Sequence, residues 1–577
     1  MCSKTADSLR WHDKERSKDG KLRHPADGQA RKDFDRLHPI FAQDSRNHNL
    51  LRHNLDVMHI EKNIVESILG TLVDIPSKRK DHAKARYDLK EMGIRKNLHP
   101  KDIGDNKRTK FAKACFSMTN GEKSVFCGVL KTAKLPDGGA SNIFRCVQLD
   151  ERKLPGYKTH DAHFMLHYFL PIPIKSILPD HGAIPLIRLC SFFQRLCQKV
   201  IILEELDCLE VEIRETINWL ERIFPPSFFD IMIHLPIHLV NEVRLGGPVQ
   251  NRWMYSTERY LHREVQIKFN RRARNNDECD PSDAETVSLF PKKGCPLGAK
   301  KTDPVCLDNK SLSQAHAYLL GNCDEIQEYI SKAKDHCQNF SQWFETHALQ
   351  EDVPDLIKEL SRGPNSVAKR YSGYLINGYR FHIRQRDARR KTQNSGVTVV
   401  ASTTCFASSK DKNPIAADLT YYGRIVDIVE LDYYIHLKVF LFKCDWYEVE
   451  KDIYGLNYVD FDKRCSQEEP FVLASQVHQC FYVQDPYDQD RHYVMKTVPR
   501  DLFNLSDEFE SDLPQSYENE LSEHLMGPSI PEDDGEVTLV RTDVPETVID
   551  MPSEEFVTQQ LEVEYEEEFE DESEEEC

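Results

Sequence analysis

Apolar side chains between residues 53 and 72 recur at the spacing of a helix. Ile60, Ile64 and Ile68 come every four residues, and Val57, Val65, Leu69 and Leu72 widen the stripe. Asp56, His59, Asn63 and Glu66 follow at steps of three, four and three, which places them together on another face. Two more amphipathic helices are predicted. Leu186, Leu189, Phe192, Phe193, Leu196 and Val200 mark the first, and Leu209, Val211, Ile213, Ile217, Leu220 and Ile223 the second, closed by Pro225-Pro226. The very apolar stretch 228–243 ends at Gly246-Gly247-Pro248, and 312–336 reads as a further helix. From about residue 419 the period changes to two, which predicts short strands at 421–430, 434–447, 471–474, 480–484 and 492–496 and, from them, a small barrel or curled sheet.

Between these blocks the pattern weakens. Residues 1–48 have few apolar side chains to bury, 76–160 is linker-rich with a strong turn at Leu135-Pro136-Asp137-Gly138-Gly139, and 271–400 is looser. The expected organisation is an α+β multidomain chain: a poorly ordered segment 1–48, a helix with linkers at 49–155, a helical domain at 156–275, a linker with helices at 276–400, a small β-rich barrel-like domain at 401–503, and a disordered acidic tail at 504–577.

Charge sharpens this division. The chain of 577 residues has a formal net charge of −19, but residues 504–577 hold 27 acidic side chains against one arginine, which leaves residues 1–503 at +7. A mildly basic body with an acidic tail suits a nucleic-acid partner, or an ordinary protein with a solvated tail. No run of about 18 apolar residues predicts a membrane span. The 17 scattered cysteines include no Cys-x-x-Cys, which favours reduced thiols over a disulfide framework.

Three constellations carry chemistry. Asp56-x-x-His59 puts a carboxylate and an imidazole one turn apart, able to share a metal or a proton, or else to serve as a helix cap and a surface histidine. His160-x-x-His163-x-x-x-His167, with Asp161 beside it, is a one-face histidine set open to zinc or to surface and capping use. Between residues 369 and 391, Lys369, Arg370, Arg380, Arg384, Arg386, Arg389, Arg390 and Lys391 stand against one aspartate, with Tyr371, Tyr374, Tyr379 and Phe381 among them. That stretch suits phosphate contact plus base stacking, or the basic face of an edge hairpin. No Gly-x-Gly-x-x-Gly, P-loop or Gly-x-Ser-x-Gly is present.

The strings at 53–72, Lys84-Ala85-Arg86-Tyr87-Asp88-Leu89, Met92-Gly93-Ile94-Arg95-Lys96-Asn97-Leu98-His99-Pro100, Pro225-Pro226-Ser227-Phe228-Phe229 and Leu245-Gly246-Gly247-Pro248-Val249 closely resemble the plant CACTA-type (En/Spm-like) transposases. The resemblance covers most of residues 1–503, and the strands near the C-terminus look like a compact companion domain of unknown function from the same proteins. It implies a ribonuclease-H-like nuclease holding two magnesium or manganese ions on three acids. Glu258, early in a predicted helix, matches the third acid best, with Glu242 second. Arg259, Arg263, Lys268, Arg271, Arg272 and Arg274 would face a phosphate backbone. The resemblance also implies a zinc site made of an early pair, Asp56 and His59, and a late pair, His234 and His238, with Pro236 between the latter two. The family segment bearing the first two catalytic aspartates is missing where residues 47–50 join the first helix. The expectation is therefore a nuclear, DNA-associated protein without catalysis, whose further partners are other transposase-derived proteins. A protein-interaction scaffold built on the β domain and acidic tail, and a residual metal-dependent transposase, are the alternatives.

Overall fold

The computed structural model describes residues 20–22, 27–37, 55–75, 78–103, 108–137, 143–253, 294–297, 304–333, 340–350, 353–405, 415–433, 437–497, 528 and 537–549. The architecture is α+β, a helical body followed by a β-barrel. The first predicted helix forms as α1 (Val57–Val73), and its stripe of Ile60, Ile64, Val65, Ile68, Leu69 and Leu72 is at most 2 % exposed. The same hydrophobic core takes in α2 (Asp180–Leu196), α3 (Leu203–Ile223) and α4 (Pro236–Gly246). Val211, expected on the buried face of α3, faces solvent, while Leu209, Ile213, Ile217, Leu220 and Ile223 hold the core.

Stretches read as linker supply core as well. The helix Asn120–Thr132 starts on a capping box in which Glu122 N donates to Thr119 Oγ1 and Thr119 N donates to Glu122, and it buries Phe126, Cys127, Val129 and Leu130. Near the N-terminus, Lys21–Leu22 pairs with Ile201–Ile202 and buries Leu22, so the expectation of no core in 1–48 fails there. Eleven of the described cysteines are free thiols, and Cys295 departs from expectation in being disulfide-bonded.

Six antiparallel strands close the barrel: β1 (Gly396–Cys405), β2 (Ile415–Tyr433), β3 (Leu437–Lys451), β4 (Asn457–Cys465), β5 (His478–Gln484) and β6 (Arg491–Lys496). Around the barrel they run β1–β2–β3–β4–β6–β5, and β5 returns to β1. Closure leaves no free edge among them. Bulges at Ile425/Asp427 and Tyr447/Val449 help the long β2 and β3 bend. At the β1–β5 seam a Cβ on Gly396 would lie 2.3 Å from the Cys480 carbonyl oxygen, so the strands approach there only because glycine has none. The predicted strand at 471–474 exists as Phe471–Leu473, but it pairs only at the side of β3.

The helices Asn309–Gly321, Phe340–Gln350 and Asp355–Ser361, expected in a linker, share a core with the barrel through Leu319, Leu320, Phe344, Leu360, Val429, Leu431 and Leu441. At this junction His316 Nδ1 lies 2.9 Å from the Tyr433 hydroxyl. Burial pushes the imidazole from 6.5 down to about 4, so it stays neutral in the fold. As pH falls from about 6.5 towards about 4, the unfolded chain takes up a proton that the folded barrel refuses. The barrel should therefore lose up to roughly 3 kcal/mol over that window. Denaturant titrations of wild type and His316→Gln at pH 7 and 4.5 check this. The wild type should weaken more than the variant, and equal losses would discount the histidine.

Candidate metal centre

Glu61 is the fully buried carboxylate of α1. It sits four residues after Val57 and three before Ile64, on the apolar stripe itself, so the helix carries it into the core. Two histidines meet it. His163 belongs to the helix Thr159–Phe164, and its Nδ1 is 2.6 Å from Glu61 Oε2. His167 Nε2 is 2.7 Å from Glu61 Oε1, and the imidazole rings lie 4.0 Å apart.

Local sequence explains how His167 is aimed. Residues Met165–Phe169 form a π turn, in which Leu170 N donates to the Met165 carbonyl five residues back. Pro171 follows, with no N–H to offer the His167 carbonyl, and the Gln194 side-chain amide donates to that carbonyl instead. The widened turn thus fixes the His167 backbone against α2. Cys197, the residue that caps the C-terminus of α2, places its Sγ 3.6 Å from Glu61 Oε1. The Trp253 ring stands edge-on to His163 with centroids 5.6 Å apart.

Burial alone would raise the Glu61 carboxyl, but His163 and His167 bring it down to about 2, so it is anionic at neutral pH. Burial, with His163 adding to it, lowers His167 despite the nearby carboxylate and favours its neutral form. Burial and then Glu61 push the Cys197 thiol well up. Each ring nitrogen either donates a proton to the carboxylate or, unprotonated, joins it in holding a cation. Among the described residues, Glu61, His163 and His167 are the one set of three such side chains whose ligand atoms all lie within 4.8 Å of one another.

The zinc set implied by the transposase resemblance does not gather in this way. Asp56 is the N-cap of α1 and accepts from Met58 N and His59 N, and both Asp56 and His59 are exposed. His234 and His238 do pair, with Nε2 atoms 3.1 Å apart on the exposed side. Pro236 breaks the helix into Ile231–His234 and α4, but it sits at the start of α4, where its missing N–H is harmless and the four-residue spacing survives. No three of Asp56, His59, His234 and His238 come within 4.8 Å as a group, so only the late pair is positioned for a shared ion.

Glu258, Arg259, Arg263, Lys268, Arg271, Arg272 and Arg274 lie outside the described residues. Glu242 accepts from Leu55 N at 3.0 Å and pairs with Arg252 at 3.7 Å, a tether between α4 and the start of α1. The basic stretch of 369–391 divides. Tyr371, Tyr374, Tyr379 and Phe381 are buried, because strand alternation turns them into the core, and they cannot stack on bases. Lys369 meets Glu430 at 3.8 Å, Arg370 meets Asp427 at 2.6 Å, Arg384 meets Asp445 at 2.8 Å and Arg380 meets Asp137 at 4.0 Å. Arg386 Nη1 donates to Ser372 Oγ at 3.2 Å. Arg389, Arg390 and Lys391 are exposed.

Two stretches of the chain match known domains. Residues 196–280 match a domain of unknown function (DUF4218), and residues 429–495 match another (DUF4216). Both are typical of plant transposase-derived proteins. The first begins beside Cys197 and runs through α3 and α4, and the second covers the barrel from the end of β2 to β6. No curated protein and no solved structure matches the chain. Among the described residues no helix is long and apolar enough to cross a membrane.

Glu61 escaped sequence reading because a lone glutamate in a helix is ordinarily a surface residue. The available signal was its position, in step with Val57, Ile64 and Ile68. His163 and His167 were visible as a pair, but not their partner in α1.

Proposed function

We propose that the chain is a CACTA-type transposase-derived, nuclear protein that associates with DNA without cutting it. Its two matched domains support a transposon origin, and the family-specific strings of residues 53–100 and 225–249 point to the CACTA type. The observation that carries the DNA reading is the exposed run Arg389-Arg390-Lys391, just after the helix Arg384–Ala388 on the barrel. Neighbouring cations of the same stretch are engaged by Glu430, Asp427 and Asp445, which leaves this trio as the part best placed to meet phosphates. Binding of that kind is sequence-independent and releases counterions. Without stacking aromatics it favours the duplex backbone over splayed single strands.

Duplex binding by the full chain should weaken as salt rises. Replacing Arg389, Arg390 and Lys391 by alanine should reduce the log–log salt slope by roughly 2–3, at about 0.9 for each phosphate no longer neutralised. An unchanged slope would remove this surface from the interface. Binding indifferent to salt would favour the scaffold reading.

A further inference from the structure

We propose that Glu61, His163 and His167 together bind one zinc ion, which clamps α1 to the helix Thr159–Phe164 and the π turn. The three side chains come from three separate pieces of backbone, and their ligand atoms all lie within 4.8 Å of one another, with the Cys197 thiol 3.6 Å from Glu61 beside them. Zinc takes carboxylate oxygen, imidazole nitrogen and thiolate sulfur at about 2.0–2.3 Å, so two ligand atoms on one tetrahedral ion stand roughly 3.4 Å apart. The 2.6 and 2.7 Å separations from Glu61 fall within about 1 Å of that distance, so a small spreading of the three ligand atoms would seat the ion.

Charge supports the same conclusion. Glu61 is an anion with no exposed surface, and the neighbours that touch it are two imidazoles and a thiol rather than a lysine or an arginine. A buried carboxylate needs compensation. A divalent cation bound to Glu61 supplies it. Three protein ligands leave the fourth tetrahedral position to a water or to the neighbouring Cys197 sulfur. Gln194 holds the His167 backbone and Trp253 covers His163. The exposed His234–His238 pair has two such atoms and is a separate feature.

The test uses the full chain, purified with zinc present and then exchanged with cobalt(II). Elemental analysis should find one zinc per chain. The cobalt form should show the intense visible bands of a tetrahedral centre. His167→Gln keeps an amide N–H that can still donate to Glu61, so a hydrogen-bonding role would survive it while a ligand role would not. Metal affinity should fall more than about tenfold in this variant, with far-ultraviolet dichroism unchanged. Cys197→Ser should still bind one zinc per chain, and His234→Gln should leave the stoichiometry and spectrum as they are. Sub-stoichiometric metal in the wild type overturns the proposal without reference to any variant. Full occupancy in His167→Gln, or loss of the metal in His234→Gln, overturns it equally.

Discussion

Lys175→Ala should loosen the barrel from the helical body by about 3–5 kcal/mol, the penalty for leaving buried carboxylates without their cation. Lys175 belongs to the helix Pro171–Ile177, the continuation of the π turn, and its side chain is 7 % exposed. Its ammonium lies 3.2 Å from Asp485 and 3.5 Å from Asp452, donates to the Tyr493 hydroxyl, and sits 4.0 Å above the Tyr493 ring. All three partners belong to the barrel or its loops. Asp485 is further committed, because its Oδ1 accepts from Tyr487 N and Asp488 N, so it cannot swing out to water cheaply. Around the ion pair, Phe481, Val483, Tyr493 and Met495 join the apolar core of the helical body.

The expected result is a split denaturation. Wild type should unfold its two halves together, whereas Lys175→Ala should show the barrel melting ahead of the helices. Fluorescence and dichroism followed in one denaturant series distinguish the cases, and coincident transitions at the wild-type midpoint would show that the lysine does not hold the interface. Adding Asp452→Asn and Asp485→Asn to the alanine variant should recover part of the loss, since neutral amides are easier to bury than unpaired carboxylates.

The second large effect concerns the acidic tail. Residues Thr547–Ile549 add a strand to Arg108–Phe111, Val540 bridges to Ala114, and Cys115 N and Lys113 O exchange hydrogen bonds with Leu539 O and Arg541 N. The expectation of a structureless tail therefore fails for this part of it. Arg541, the lone cation of residues 504–577, fixes the attachment. Its guanidinium meets Glu122 through two hydrogen bonds of 2.6 and 2.9 Å, reaches the Ser117 carbonyl at 3.1 Å and also binds Asp543. Glu122 resists burial, but its hydrogen bond from Arg541 and those from Thr119 hold its carboxyl below the usual range.

Removing this fork in Arg541→Ala should weaken the attachment by about 1.5–3 kcal/mol, the range for hydrogen bonds to charged groups. Amide exchange in 537–549 would then quicken roughly tenfold to a hundredfold. Arg541→Lys should fall between the two, since an ammonium keeps the charge and loses the paired geometry. Unaltered exchange in the alanine variant would mean that backbone pairing alone retains the segment.

Much of this architecture was open to sequence reading, for reasons local to each element. α1, α2 and α3 repeat apolar residues every three or four positions, and a helix is the backbone that gathers such a pattern on one side. β2, β3, β5 and β6 alternate, and the alternation survives because a closed barrel has an inside and an outside. β1 and β4 were missed. β1 follows a polar turn and is rich in threonine and serine, and β4 carries Asp460, Asp462, Lys463 and Arg464, so neither looks half-buried on its own. Neighbouring strands supply the hydrogen bonds that make them strands. Val537, Leu539 and Val548 were apolar hints in an acidic tail, but nothing local says that Arg108–Phe111 offers an edge to pair with.

The candidate metal centre divides along the same line. Sequence alone determined that His163 and His167 lie one turn apart and that Glu61 keeps step with the apolar stripe of α1. Only the tertiary structure decided that they meet. Glu61 and His163 are 102 positions apart, and no helical or strand periodicity reaches across such a gap. The packing of α1 against the helix Thr159–Phe164 brings them together. The π turn before Pro171 then aims the second imidazole, and the end of α2 delivers Cys197. A charged residue can be seen in a sequence, but whether it is solvated or sealed beside two imidazoles depends on which surfaces exclude water, and that is settled only when the core closes.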